Sequence, residues 1–383
     1  MSGNRDRYLS DCRELVLGEI QSLVTHEGPD AALYRAVLDY PLRDAKALRP
    51  ALCIATARAL GGMVEEALPT ATALELFHNA FLIHDDVEDA SEERRGSATL
   101  QRVVGEAQAI NVGDAMLALA LQPLLQNLEV LDLGRALNVL DEVAFMARTS
   151  AEGQALELAW IREGRWDVSE DDYVRMVRKK TAAYTFVAPL VTGGLVARAA
   201  PEGIEGLRQL GDALGVAFQI RDDLLNLAGD PRAVGKETCG DLWEAKRTLV
   251  VTHFARTAEP EAARAATALL DRPRPEREAR PLEQLRRQLA ARYAQGALDA
   301  AAWAEVEAAF EAVAGPAPKT TREVAALREE LEAHGSLRAA RDVADCWARR
   351  AEGAWNELEG RLAAGVHTDF LASLVSYVVE RDR

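Results

Sequence analysis

Apolar residues return at every third or fourth position along almost the whole chain, and sustained strand-type alternation is absent. Ala, Leu, Glu and Arg dominate, which favours helix at the level of the single residue as well. The pattern predicts an all-α fold, a large helical bundle. Two stretches go further: Leu68 to Glu88 and Leu207 to Leu227 are apolar over most of their circumference. Helices of that kind belong inside a bundle rather than on its surface. With 383 residues and 49% hydrophobic content, the chain can bury such helices in a sizeable core.

Gly61-Gly62, Gly96, Gly113, Gly134, Gly164, Pro201, Gly229 with Pro231, and Gly235 read as helix stops. The runs DRPRPEREARP at 271–281 and GPAPK at 315–319 read as surface connections. Residues 271–320 are therefore expected to form a variable peripheral segment, and 321–383 a peripheral set of C-terminal helices. One all-α domain over residues 1–383 is expected.

Charge narrows the range of partners. Subtracting 61 acidic from 45 basic residues leaves −16, so there is no general attraction for nucleic acid or an anionic membrane surface. Any phosphate must be held by a few placed cations. No run of about 18 uncharged apolar residues suggests a membrane span. The polar N-terminus MSGNRDRYLSDCRELV and the scattered Cys12, Cys53, Cys239 and Cys346 point to a cytoplasmic protein without a disulfide framework.

The two apolar helices end alike. His84-Asp85-Asp86-Val87-Glu88-Asp89 follows AFLI, and Gln219-Ile220-Arg221-Asp222-Asp223-Leu224-Leu225-Asn226 ends another apolar run. Asp85 and Asp89 share a helix face about 6 Å apart along the axis. Like charges so placed invite a hard cation such as Mg²⁺, which takes one or two carboxylates together with phosphate oxygens. An isolated cluster also fits a solvated acidic helix end. Two clusters on two buried helices favour half-sites facing across a bundle. Cations complete the set: Lys46 with Arg49, Arg94-Arg95, Lys179-Lys180, Lys236, and Lys246-Arg247. Together they read as clamps for diphosphate groups beside an apolar pocket.

The stretches LELFHNAFLIHDDVEDASEERRG, AEGQALEL, RKKTAAYTF, GVAFQIRDDLLNLAGD and GKETCGDLWEAKRTL resemble, in order, the motifs of the trans-isoprenyl diphosphate synthases, or polyprenyl synthetases. HGSLRAARDVADCWARRAEGA resembles that family's C-terminal helices. The resemblance implies a central apolar cavity and condensation of isopentenyl diphosphate with an allylic diphosphate. It implies that Asp85, Asp89 and Asp222 bind Mg²⁺, with Asp86 and Asp223 supporting. Arg94, Lys180 and Lys236 would grip the allylic diphosphate, with Lys246 nearby. Lys46, Arg49, His78 and Arg95 would bind isopentenyl diphosphate. Thr181 and Gln219 would point oxygens at the allylic cation. A homodimer is implied by the resemblance alone, since no interface stripe stands out in the sequence.

Three positions depart from the family pattern: Ala47 for a frequent arginine, Asn226 for an aspartate and Ala245 for a common glycine. A class I terpene cyclase would share the fold and the first cluster, but it has no isopentenyl diphosphate for Lys46, Arg49 and Arg95 to bind. A non-catalytic partner subunit usually lacks one aspartate cluster, and a plain helical scaffold gives no reason for the pair. Helix geometry places Phe81 about 40° and Phe77 about 80° from Asp85, one and two turns deeper. The resemblance implies that bulk at the fourth and fifth residues before the first aspartate floors the cavity. With Phe81 large and Ala80 small, a C20 product, geranylgeranyl diphosphate, is expected; a farnesyl or longer-chain product is the alternative, and Phe81 and Phe77 also fit ordinary core.

Overall fold

The computed structural model describes residues 2–25, 27–43, 45–228, 239–274, 281–313 and 316–380. Its chain runs through α1 (Ser2–Ser22), α2 (Ala31–Leu42), α3 (Leu48–Ala59), α4 (Val64–Glu88), α5 (Leu100–Val104), α6 (Glu106–Leu119), α7 (Leu121–Val130), α8 (Leu133–Arg162), α9 (Glu170–Val177), α10 (Ala188–Val196) and α11 (Pro201–Ala228). A short helix at Gly240–Trp243 leads into Leu249–Thr257 and Pro260–Leu270. Pro281–Ala294, Ala300–Val313, Thr321–Ala333, Ser336–Glu359 and Val366–Glu380 follow. The fold is all-α.

The all-round apolar stretches are the central helices. In α4 every residue from Thr70 to Ala80 is buried, and the packing partners are α3, α6 and α7. Helix α11 packs on Ser336–Glu359 and on the segment joining α9 to α10. Local chemistry sets the ends: Asp132 caps α8 by accepting from the Arg135 N–H at 3.0 Å, and Ser169 with Asp172 forms a capping box on α9. Among the described residues no helix is long and apolar enough to cross a membrane.

Three details differ from the sequence expectation. Gly113 and Gly134 lie within α6 and α8 rather than stopping them. At Gly113 the reason is room, because a Cβ there would sit 2.2 Å from His84 Nε2. Arg94-Arg95 does not continue a helix. It sits on a two-stranded hairpin, Glu93–Arg94 against Ser97–Ala98, turned by the positive φ of Arg95 (55°) and Gly96 (72°). The C-terminal helices are woven into the core: Trp347, Trp355, Leu371 and Leu374 are buried in it, and the buried Arg221 of α11 reaches the Val378 carbonyl and Asp345.

Candidate active site

The end of α4 places its carboxylates by helical geometry. Asp85 faces a cavity of about 960 Å³, whereas Asp86, one residue on, turns into the protein and has no exposed surface. Asp86 accepts from the Tyr40 hydroxyl at 2.6 Å and from the Arg94 guanidinium, through Nε at 2.9 Å and through Nη2. It anchors the arginine hairpin against α4. Arg94 directs Nε and Nη2 to Asp86 and also touches Asp85 through Nη2 at 3.4 Å, while its side chain lines the cavity.

Lys180 comes from the link between α9 and α10. Over Arg178–Val187 the helix widens to the π form, a change that often marks functional segments. Glycines on both neighbours let backbones meet it: a Cβ on Gly153 of α8 would lie 2.2 Å from the Lys180 nitrogen, and one on Gly215 of α11 would lie 2.3 Å from Ala182 Cβ. So held, Lys180 Nζ donates to Asp85 Oδ1 at 3.1 Å and to Glu157 of α8. Burial alone would push its ammonium down, but Asp85 and Glu157 raise it overall and keep it charged.

Asp89 stands behind this layer rather than on the cavity wall. Lys246 Nζ approaches its Oδ2 at 2.7 Å and Glu244 Oε2 at 2.9 Å. Burial pushes the Asp89 carboxyl up to about 7, against the pull of Lys246 and with help from Asp85 and Glu244.

Across the cavity, α11 presents Asp222 and Asp223. Asp223 accepts from the Tyr173 hydroxyl at 2.6 Å and from Gln219 Nε2 at 2.7 Å. Burial nonetheless carries its carboxyl up to about 7, opposed by those two hydrogen bonds and aided by Asp222 and Glu157. Thr181 Oγ1 donates to Gln219 Oε1 at 2.9 Å, so the two side chains expected to face the reacting carbon are bonded to each other. Asn226 Oδ1 accepts from the Asp241 N–H at 3.1 Å, so the oxygen expected to substitute for a carboxylate fastens the start of Gly240–Trp243 instead.

Arg49 and His78 meet at Tyr184, with Arg95 and Lys46 further along the same cavity. Arg49 lies over its ring at 4.4 Å and donates to Thr185 Oγ1 at 2.8 Å, while the His78 ring stacks on it at 5.9 Å. Arg95 Nη2 is 3.4 Å from His78 Nε2, and Lys46 sits 5.9 Å from the Tyr377 ring centroid. Burial, reinforced by Arg49, Arg95 and Arg94, pushes the His78 pKa well down, so this imidazole is neutral. Lys46, Arg49, His78 and Arg95 all line the cavity that also holds Lys180, Thr181, Gln219 and Lys246. Lys236 lies outside the described residues.

On the apolar wall are Phe81, Leu82, Leu117 and Phe218. Phe77 packs behind Phe81 with ring centroids 6.0 Å apart, and Phe81 meets Tyr184 edge-on at 5.6 Å. Ala80 is fully buried and, like Phe77, is not among the residues that line the cavity. Its side chain emerges 100° round the helix from Phe81.

Among the described residues no three His, Cys, Asp or Glu side chains converge as a ready cation cage. Magnesium does not need one, since it takes one or two carboxylates and completes its shell with water and phosphate. Asp89 Oδ2 is buried without a hydrogen bond, because Lys246 approaches it off the hydrogen-bonding direction. With Asp85 and Asp222 at the cavity, the donor set fits that ion.

Glu157, Tyr40, Tyr173 and Glu75 were not assigned from sequence. Glu75, buried on α4 beneath His78, leaves Oε2 without a hydrogen bond, and burial raises its carboxyl despite Arg49 and Arg95 nearby. For Glu157, Tyr40 and Tyr173 the signal is a buried polar side chain whose partner lies on another element, which one sequence does not display, whereas Glu75 accepts from Asn79 of its own helix at 3.1 Å.

The polyprenyl synthetase family model matches residues 31–287. A short chain isoprenyl diphosphate synthase of Methanocaldococcus jannaschii is 34% identical over 241 residues, 63% of this chain and 72% of its own. A geranylfarnesyl diphosphate synthase of Aeropyrum pernix is 38% identical over 219 residues, 56% of this chain and 67% of its own. Among solved structures, the geranylgeranyl pyrophosphate synthetase from Pyrococcus horikoshii is 26% identical, with 98% of this chain and 99% of that one covered and a TM-score of 0.76.

Proposed function

The chain belongs to the polyprenyl synthetase family, and from that premise we propose that this trans-prenyltransferase is a Mg²⁺-dependent geranylgeranyl diphosphate synthase. Its substrates are isopentenyl diphosphate and an allylic diphosphate. The observation that carries the reading is the division of cations around one cavity. Arg94, Lys180 and Lys246 stand with the aspartates, while Arg49 and His78 meet Tyr184, Arg95 meets His78, and Lys46 lines the same cavity near Tyr377. Two separate basic groups suit two diphosphates, hence chain elongation. A terpene cyclase would have one to hold.

Asp85, Asp89 and Asp222 would hold the Mg²⁺, which when bound neutralises the leaving diphosphate. Lys180 and Lys246 shift from carboxylate towards diphosphate oxygens as the allylic C–O bond breaks. Arg49, Arg95 and Lys46 orient isopentenyl diphosphate so that its alkene attacks the allylic carbon. Neutral His78 donates a hydrogen bond without adding charge. Phe81, Leu82, Leu117 and Phe218 keep water from the cation, and the proton released on elimination passes to the departing diphosphate. The C20 length rests on the large Phe81 on the cavity wall together with the small Ala80 before it.

The whole chain acts as one unit, and two copies associate. Leu121, Leu125 and Leu128 of α7 and Leu133, Leu137 and Leu140 of α8 are exposed at i, i+4, i+7 spacing. A second copy covers this stripe, which sequence reading passed over because the spacing also describes core. Light scattering should give a dimer, and Leu125→Asp with Leu137→Asp a monomer.

The test of function is incubation with Mg²⁺, labelled isopentenyl diphosphate and dimethylallyl, geranyl or farnesyl diphosphate. A C20 product from each primer is expected. A cyclised hydrocarbon formed without isopentenyl diphosphate, or no turnover of any primer, would reject the reading.

A further inference from the structure

The run GPAPK at 315–319 reads as surface connection, yet Lys319 is among the most buried charged side chains of the chain, with 2% exposure. Its ammonium has three donors, and all three are used: Leu242 O at 3.0 Å, Trp243 O at 2.8 Å and Leu270 O at 2.9 Å. Leu242 and Trp243 end the short helix Gly240–Trp243, where carbonyls lack partners within the helix. Basic side chains can cap such carbonyls. Immediately beyond them the chain turns through Ala245, whose φ is 55°, and Lys246 emerges to pair with Asp89 and Glu244.

Lys319 is itself held from its other side. Its N–H donates to the Pro273 carbonyl at 2.9 Å, and Arg272 donates to the Ala317 and Pro318 carbonyls at 2.7 and 2.6 Å and to Glu323 at 2.7 Å. Residues 272–273 and 317–319 are thus clipped together at the base of the two helices Pro281–Ala294 and Ala300–Val313. Those helices pair through Tyr293 stacked on Trp303 and Arg286 bonded to Glu307 at 3.0 Å. The clip rests on the segment that delivers a cavity lysine.

We propose that Lys319 is a positioning residue for the allylic half of the site, fixing the 242–246 turn so that Lys246 is delivered to Asp89 and the cavity. The proposal rests on the functional reading above. It requires a loss confined to the turn and to the allylic side, whereas a merely stabilising contact would lower thermal stability and leave both unchanged.

The test compares the full-length wild type with Lys319→Met, measuring kcat, KM for each substrate, the thermal midpoint, and hydrogen exchange of the 242–246 amides. The expected result is a kcat lower by roughly 10- to 100-fold. KM for isopentenyl diphosphate should be unchanged, and the 242–246 amides should exchange about tenfold faster. Lys319→Arg, which keeps the charge and the donors, should recover most of the kcat. A folded Lys319→Met protein with unchanged exchange and kcat overturns the proposal, as does a rise in isopentenyl diphosphate KM matching the fall in kcat. If Lys319→Met does not fold, Lys319→Gln, too short to reach all three carbonyls, takes its place with the same expected and overturning results. A wild type inactive with every primer would strike the functional reading instead, and the exchange comparison would still decide whether Lys319 fixes the turn.

Discussion

Lys246 Nζ lies 2.7 Å from Asp89 Oδ2, and 13% of the lysine side chain and 3% of the aspartate side chain remain exposed. Lys180 stands to Asp85 in the same relation at 3.1 Å. Each acidic residue of the first cluster assigned to metal therefore has a lysine of its own, drawn from a distant part of the chain. The pairing answers the repulsion that two carboxylates four apart on a helix would suffer. It also means that a divalent cation must compete with an ammonium, and that each lysine so released is already beside the incoming diphosphate.

The division of the cavity can be separated by ligand. Arg49→Ala should weaken isopentenyl diphosphate binding by about tenfold or more while leaving the allylic diphosphate with Mg²⁺ able to bind, since charge-assisted hydrogen bonds contribute about 1.5–3 kcal/mol. Lys180→Ala should do the reverse. Asp85→Ala and Asp222→Ala should each lower turnover by at least about 100-fold with the helical circular dichroism unchanged. Titration calorimetry of each substrate against each variant checks the first pair. Equal harm to the same ligand by Arg49→Ala and Lys180→Ala would remove the two-pocket assignment.

Asp223 gives the pH dependence. Its carboxyl is pushed up to about 7 from 3.8, by burial first and by Asp222 and Glu157 in addition, against the hydrogen bonds from Tyr173 and Gln219. Between about pH 4 and 7 the folded protein therefore holds a proton that the unfolded chain has released, so this group's contribution to stability falls as pH rises through that window. Asp223→Asn should lack this dependence, and its thermal midpoint relative to wild type should climb from pH 5 to 7.5. Parallel midpoints across that range would contradict the assignment.

Ala245 departs from the family's common glycine and adopts φ 55°, a left-handed conformation that a Cβ disfavours. Ala245→Gly relieves that strain of about 1–2 kcal/mol, less about 0.4–1 kcal/mol of added freedom in the unfolded chain. A small net stabilisation with unaltered kcat is expected from denaturant titration and steady-state assay. Destabilisation would mean that the methyl group packs well enough to outweigh the strain.

What could be read in advance follows from the range of the interactions. Helical period and the two aspartate clusters are local, so α4 and α11 are visible in the residue order. Glu157, Tyr173 and Tyr40 escape notice because Lys180, Asp223 and Asp86, which they serve, lie on other elements. The turn that carries Arg94 depends on positive φ at Arg95, which an arginine does not advertise. Lys319 was misread because proline and glycine next to a lysine look like surface, whereas three carbonyls supplied by two distant segments bury it.

Product length tests the apolar wall. Phe81 lines the cavity, meets Tyr184 and is backed by Phe77, whereas Ala80 is fully buried on another face of α4. Removing the Phe81 ring opens space at a level about 6 Å along the helix axis from Asp85. Phe81→Ala should therefore shift products from C20 to C25 or longer, read by chromatography of the dephosphorylated alcohols. Ala80→Phe, in contrast, forces a ring into packed core, and overpacking of that kind typically costs about 1–3 kcal/mol. It should lower the thermal midpoint, and any shift towards C15 would come only through displacement of Phe81. If Phe81→Ala leaves the distribution unchanged while Ala80→Phe shortens it at full stability, the stop is on the Ala80 face and the wall described here does not set the length.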